Sequence, residues 1–209
     1  MKFFDCKTAP SPRRVRIFIA EKDIAVETIL VDLRSKEQLG VEFKTINPHC
    51  TVPVLELDDG ARLTTTAGIW RYLEATYPDP PLMGETPQQR GVIADLQWHI
   101  EMNGFMAMAE FLRNSAPAMK GRALTGPHDY DQIPELADRG KLRVQRFLEE
   151  IDQVIGDKPY VAGDRFSVAD IDLLVLIDFS AWRKLSLPAG ATNARRWYEA
   201  VRARPSAQL

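Results

Sequence analysis

Thr51-Val52-Pro53-Val54-Leu55-Glu56-Leu57-Asp58-Asp59-Gly60, followed by Ala61-Arg62-Leu63-Thr64-Thr65, reads as two apolar runs around an Asp-Gly turn. Asp-Gly supplies the backbone conformations a tight hairpin needs, so the two runs are predicted as paired antiparallel strands. Upstream, Lys2-Phe3-Phe4-Asp5-Cys6 is a short apolar strand that Pro10-Ser11-Pro12 breaks. Arg13 to Lys22 then carries Val15, Phe18, Ile19 and Lys22 on adjoining helical turns. Glu27 to Leu33 is β-rich, and Lys36 to Ile46 is predicted helical until Asn47-Pro48 ends it. Downstream of the hairpin, Thr66 to Thr76 has Ile69, Tyr72 and Leu73 at helical spacing. The order βαβαββα defines an α+β unit.

Tyr77 to Pro87 contains Pro78, Pro80, Pro81, Gly84 and Pro87, a composition suited to a boundary. It divides the chain into a unit at 1–80, a linker at 81–87 and a second unit at 88–209. No strand pattern follows. Gln89 to Arg113 can form one long, largely apolar helix, and Val144, Phe147, Leu148, Ile151, Val154 and Ile155 form a clear stripe on another. Val168 to Leu185 and Asn193 to Arg204 supply two more helices, so this unit is expected to be all-α. Residues 115–133 hold few large apolar groups and read as a loop. Ser167-Val168-Ala169-Asp170 is a capping box that opens an apolar helix, with Phe166 placed as a hydrophobic staple. Its expected role is structural.

The chain has 209 residues, 45% apolar and 27% charged, with a formal net charge of -2. Such a charge offers no footprint for nucleic acid. The start of the chain meets charge too early for a signal peptide, and no apolar run is long enough to span a bilayer. Cys6 and Cys50 make no disulfide framework. A cytoplasmic location is the expectation, with no membrane and no nucleic-acid partner. His49, His99 and His128 are scattered, so no metal site is expected.

The strings PRRVRIFIAEK, FKTINPHCTVPVLELDDG, LTTTAGIWRYLEATYP and AGDRFSVADI stand in one order across nearly the whole chain. In that order and spacing the chain resembles the cytosolic glutathione transferase superfamily. The resemblance implies a thioredoxin-like first domain that binds glutathione as co-substrate. It implies a helical second domain that helps hold a hydrophobic electrophile, and a homodimer. A free thiol has a pKa of about 8.5, so such a protein must favour the thiolate with a donor at a helix N-terminus.

By the same resemblance, Val52 pairs its backbone with the cysteinyl unit of glutathione, and Pro53 is cis. The γ-glutamyl end falls to Thr65 and Thr66, where the family usually has an acidic or amide residue followed by serine. Thr65 cannot pair with the ligand's ammonium as a carboxylate would. Gln38 falls near the glycyl end. The position of the usual catalytic Ser or Cys, five residues before Arg14, holds Ala9, with Thr8 and Ser11 on either side. Ser11 is the catalytic candidate, preceding Pro12 where an N-cap hydroxyl belongs, and plain capping is its alternative role. Arg13 and Arg14 oppose the helix dipole, so they either pair with acidic groups or attract an anion. Cys6 is expected to be a small buried hydrophobe. Cys50 stands where the family has glycine, either as a loop substitution or as a thiol for exchange with glutathione. Met102, Phe105, Met106 and Met108 are expected to pack between helices, or else to line an electrophile pocket. Ala9 and Thr65 also admit a rival function, a non-catalytic glutathione-binding or scaffold protein.

Overall fold

The structure, a computed structural model, describes all residues 1–209. The chain divides into two compact units. One comprises Met1–Pro80 with Thr125–Asp129 and Leu209, the other Pro81–Leu124 with Tyr130–Gln208.

In the first unit, β1 (Lys2–Asp5), β2 (Glu27–Leu30), β3 (Val54–Glu56) and β4 (Arg62–Leu63) form one sheet in the order β2-β1-β3-β4. β1 runs parallel to β2, in register Phe3 opposite Thr28, so a helical crossover must join them. That crossover is α1 (Pro10–Glu21). β3 lies antiparallel to β1 with Leu55 opposite Phe3, and β4 closes the hairpin through Gly60 at φ 87°. α2 (Val41–Ile46) precedes the hairpin and α3 (Thr66–Thr76) follows it. Side chains alternate across a strand. Phe4 and Val54 therefore share one core with Val31 and Phe43, while Phe3 and Leu55 are buried on the opposite face. α1 and α3 pack together through Phe18, stacked on Trp70 with ring centroids 5.7 Å apart.

The predicted Lys36–Ile46 helix is split. A 3-10 turn over Glu37–Leu39 ends at Gly40, whose extended backbone (ψ 160°) separates it from α2. The second strand also stops three residues early, at Leu30.

The second unit contains α4 (Pro87–His99), α5 (Met106–Ser115), α6 (Pro134–Ile155), α7 (Val168–Ala181) and α8 (Thr192–Arg202). The single long helix expected from Gln89 to Arg113 is interrupted by a π segment over Ile100–Phe105. Two contacts mark this segment. Gly104 lies so close to Leu176 that an added Cβ would meet its Cδ2 at 2.2 Å. Arg143 donates to the Met102 carbonyl at 2.6 Å. The α6 stripe is buried except for Val154, 40% exposed because 3.6 residues per turn carries it to the margin. α7 is buried nearly all round. Within this unit, residues 116–124 and 130–133 are loop, with a 3-10 turn at Pro117–Met119, held by main-chain bonds between Ala123 and Tyr130 and between Tyr130 and Gly121.

α5 and α6 approach at Gly140, where an added Cβ would stand 2.6 Å from both Ala107 O and Phe111 N. Backbone cannot yield as a side-chain tip can. Gly140→Ala is therefore expected to destabilise the chain by about 2 kcal/mol despite alanine's better helix propensity, read from urea unfolding midpoints. Stabilisation would show that the helices separate freely.

Candidate functional site

The site residues come from the turn after β1, the start of α1, the loop before β3 and the start of α3. Ala9 caps α1 with its backbone, its N–H bonded to Cys6 O at 3.0 Å, and Pro10 fills the first helical position. Proline suits that position because the N–H it lacks would have no helical partner. Ser11 is thus the second helical residue. The N-cap role expected for it belongs to Ala9, because the helix starts three residues before Arg13. Thr66 Oγ1 donates to Ser11 O at 3.5 Å, which sets the starts of α1 and α3 side by side.

Thr65 is the N-cap of α3 and its hydroxyl accepts from Gly68 N at 3.0 Å. The amides of Thr66 and Ala67, first in the helix, have no partner within the chain, as helix starts require. Val52 is half-buried beside the buried Pro53, and the Val52–Pro53 peptide is cis, as is Asp79–Pro80. The Val52 N–H and C=O make no hydrogen bond within the chain.

Asn47 organises this loop. Fully buried, it donates from Nδ2 to Thr51 O at 2.8 Å and Thr51 Oγ1 at 3.0 Å, and accepts from His49 N at 3.0 Å. In the sequence Asn47-Pro48 signals only a helix stop; the structure adds a buried asparagine bonded along the next four residues. Cys50 has φ 55°, the region that favours glycine, and is 3% exposed with Sγ 3.6 Å from Pro48 O. Exchange with glutathione needs an exposed sulfur, and this one is enclosed. Cys6 is likewise buried, with Sγ 3.6 Å from the hydroxyl of the exposed Thr8.

Gln38 sits in the 3-10 turn after β2 with its Oε1 enclosed and unpartnered. No hydrogen bond connects it to the other candidates. Its turn is braced by Asp32, whose N–H donates to Glu37 Oε2 at 2.7 Å. Main-chain donors at Arg34 and Ser35 hold the Asp32 carboxyl below its ordinary range.

Arg13 donates to Leu209 O at 3.3 Å, Arg16 pairs with Asp5 at 2.6 Å, and the buried Arg14 donates to Ser11 Oγ at 3.3 Å. Phe105 and Met108 are core, whereas Met102 and Met106 are exposed. No group of three His, Cys, Asp or Glu is placed to hold a metal ion. No helix is long and apolar enough to cross a membrane.

A four-stranded mixed sheet with this helix order, joined to an all-helical unit, defines a thioredoxin-like fold with a helical extension. Residues 8–76 match the family model described as glutathione S-transferase, N-terminal domain, and residues 108–205 match its C-terminal counterpart. The chain is 33% identical to glutathione S-transferase 2 of Saccharomyces cerevisiae, over 99% of this chain and 87% of that one. It is 28% identical to maleylacetoacetate isomerase of Pseudomonas aeruginosa, over 83% and 78%. The crystal structure of Gtt2 from Saccharomyces cerevisiae superposes with a TM-score of 0.90 at 32% identity, covering 100% of this chain and 99% of that one. The chain belongs to the glutathione S-transferase family.

Proposed function

We propose that this protein binds glutathione at the joined starts of α1 and α3 and transfers it to a hydrophobic electrophile. The observation that carries the reading is the set of unpartnered main-chain donors and acceptors beside those helix starts. The Val52 N–H and C=O are free to pair with an extended peptide, as an added strand would. The Thr66 and Ala67 amides, at the positive end of α3, suit the γ-glutamyl carboxylate. Ser11 donates to the sulfur, where the dipole of α1 also favours thiolate. Gln38 serves the glycyl end, and Thr8 flanks the sulfur. A homodimer fits the exposed apolar line Trp98, Met102 and Met106, four residues apart from the end of α4 onward.

One observation favours a second reading, binding without catalysis: Ala9, at the family's usual activating position, has no side-chain donor. Calorimetry with glutathione, followed by titration of the bound thiol through its ultraviolet absorbance, separates them. Binding with a lowered thiol pKa and turnover of an activated aryl halide supports transfer. Binding with an unshifted thiol supports the second reading, and no binding at millimolar glutathione sinks both.

Thr65 offers a gain-of-affinity test. Thr65→Asp keeps the cap that Gly68 uses, since Asp ranks at or above Thr there, and adds a carboxylate for the ligand's ammonium. A charge-assisted bond of about 1.4 kcal/mol tightens glutathione binding about tenfold. An unchanged or weaker dissociation constant would place the γ-glutamyl end elsewhere.

A further inference from the structure

A serine hydroxyl carries one proton and two lone pairs. At Ser11 the lone-pair side faces the Arg14 guanidinium, with Nη2 3.3 Å from Oγ, and the proton has no acceptor anywhere in the chain. Arg14 is 6% exposed, so its charge is poorly screened by water. It stands at the fifth helical position of α1, three residues after Ser11 and so on the same face of the helix.

We infer that Arg14 is a positioning residue: it fixes and polarises the Ser11 hydroxyl so that the O–H points away from the guanidinium and donates to the thiolate of glutathione. This rests on the transferase reading. Hydrogen bonds reinforce one another in a chain, so a hydroxyl that accepts from a cation is a stronger donor to an anion. The thiol proton leaves to solvent, and Ser11 keeps its own. Arg14 never touches the sulfur; its effect passes through Oγ.

That route makes the effect conditional on Ser11. In the full-length protein, Ser11→Ala raises the pKa of bound glutathione, and Arg14→Gln raises it by about one unit, a tenfold loss of thiolate at a fixed lower pH. In the S11A background, Arg14→Gln adds nothing. An equal further rise there would show that Arg14 acts directly through its field, and would overturn the inference. Should R14Q fail to fold by circular dichroism, Arg14→Lys keeps the buried cation without the planar fork, and the same non-additivity is expected. A measurement without any change at Arg14 remains: its side-chain N–H resonances should move when glutathione binds to the unaltered protein and stay in place in S11A, and the reverse overturns the inference. Absence of glutathione binding removes the transferase reading as well. Binding with a thiol insensitive to S11A removes Ser11. Sensitivity to S11A with additive Arg14 effects removes only the role of Arg14.

Discussion

Replacing Asp170 by Ala is expected to destabilise the protein by about 4 kcal/mol, more than any other single change considered. Its carboxylate is completely buried and accepts four hydrogen bonds. Val161 N and Trp197 Nε1 donate to Oδ1 at 2.9 and 2.8 Å; Ser167 N and Oγ donate to Oδ2 at 2.9 and 3.0 Å. One side chain thus ties the start of α7 to the preceding loop and to α8. Alanine leaves donors buried without partners, each costing roughly 1 to 3 kcal/mol, partly relieved by relaxation. In a chain of this length the melting temperature should fall by about 8 to 16 °C. A fall under about 3 °C would mean that water enters and satisfies the donors.

The same carboxyl makes a pH prediction. Burial raises its pKa above the ordinary 3.8, although the bonds from Val161, Trp197 and Ser167 pull it down. The folded chain therefore holds this proton more tightly than the unfolded chain. Its stabilising contribution is full below pH 3.8 and declines as pH rises through the raised value. Asp170→Asn does not titrate. The wild-type stability measured relative to D170N should therefore fall with rising pH across that window, and a difference that rises would contradict the direction.

Lys22→Met is the second large effect, expected at about 3 kcal/mol. The Lys22 side chain is fully enclosed, pairing with Glu74 at 2.8 Å and donating to Tyr77 O and Pro80 O, each at 2.7 Å. Its ammonium also lies 5.3 Å from the Phe18 ring centroid. This one cation holds the end of α3 and the proline-rich segment after it against α1. Methionine fills the volume but takes the ammonium away from the Glu74 carboxylate and from two carbonyls. Adding Glu74→Leu should recover part of the loss, because it removes the carboxylate that faced the lost ammonium. If the double variant is no better than K22M, the carbonyls rather than the ion pair carry the effect.

Lys22 also shows how far the sequence could be read. Its spacing placed it on the buried face of α1, but periodicity treats it as one more stripe position. Only the fold shows that the stripe ends in a charge whose partners lie 55 and 58 residues away. Ser167 and Asp170 were legible as a capping box because the motif is local, its ends three residues apart. The bond from Trp197, 27 residues on, was not. Gly104 gave no warning of the π segment or of its own close approach to Leu176 in another helix.

The candidate site divides along the same line. The βαβαββα order, the Asp-Gly hairpin and the helical second unit follow from residue spacing and turn chemistry, which are properties of short segments. By itself the sequence determined that architecture and its resemblance to glutathione transferases. The tertiary structure decided what each side chain does: Ala9 rather than Ser11 caps α1, Cys50 is enclosed, and Asn47 braces the Val52 loop. It also set Arg14 against Ser11 and Thr66 against the Ser11 carbonyl. The reason is physical: a hydrogen bond needs partners within about 3 Å. Thr66 reaches the Ser11 carbonyl only because segments 55 residues apart fold together, while the bonds of Ala9, Asn47 and Arg14 depend on local backbone angles that residue types alone leave open.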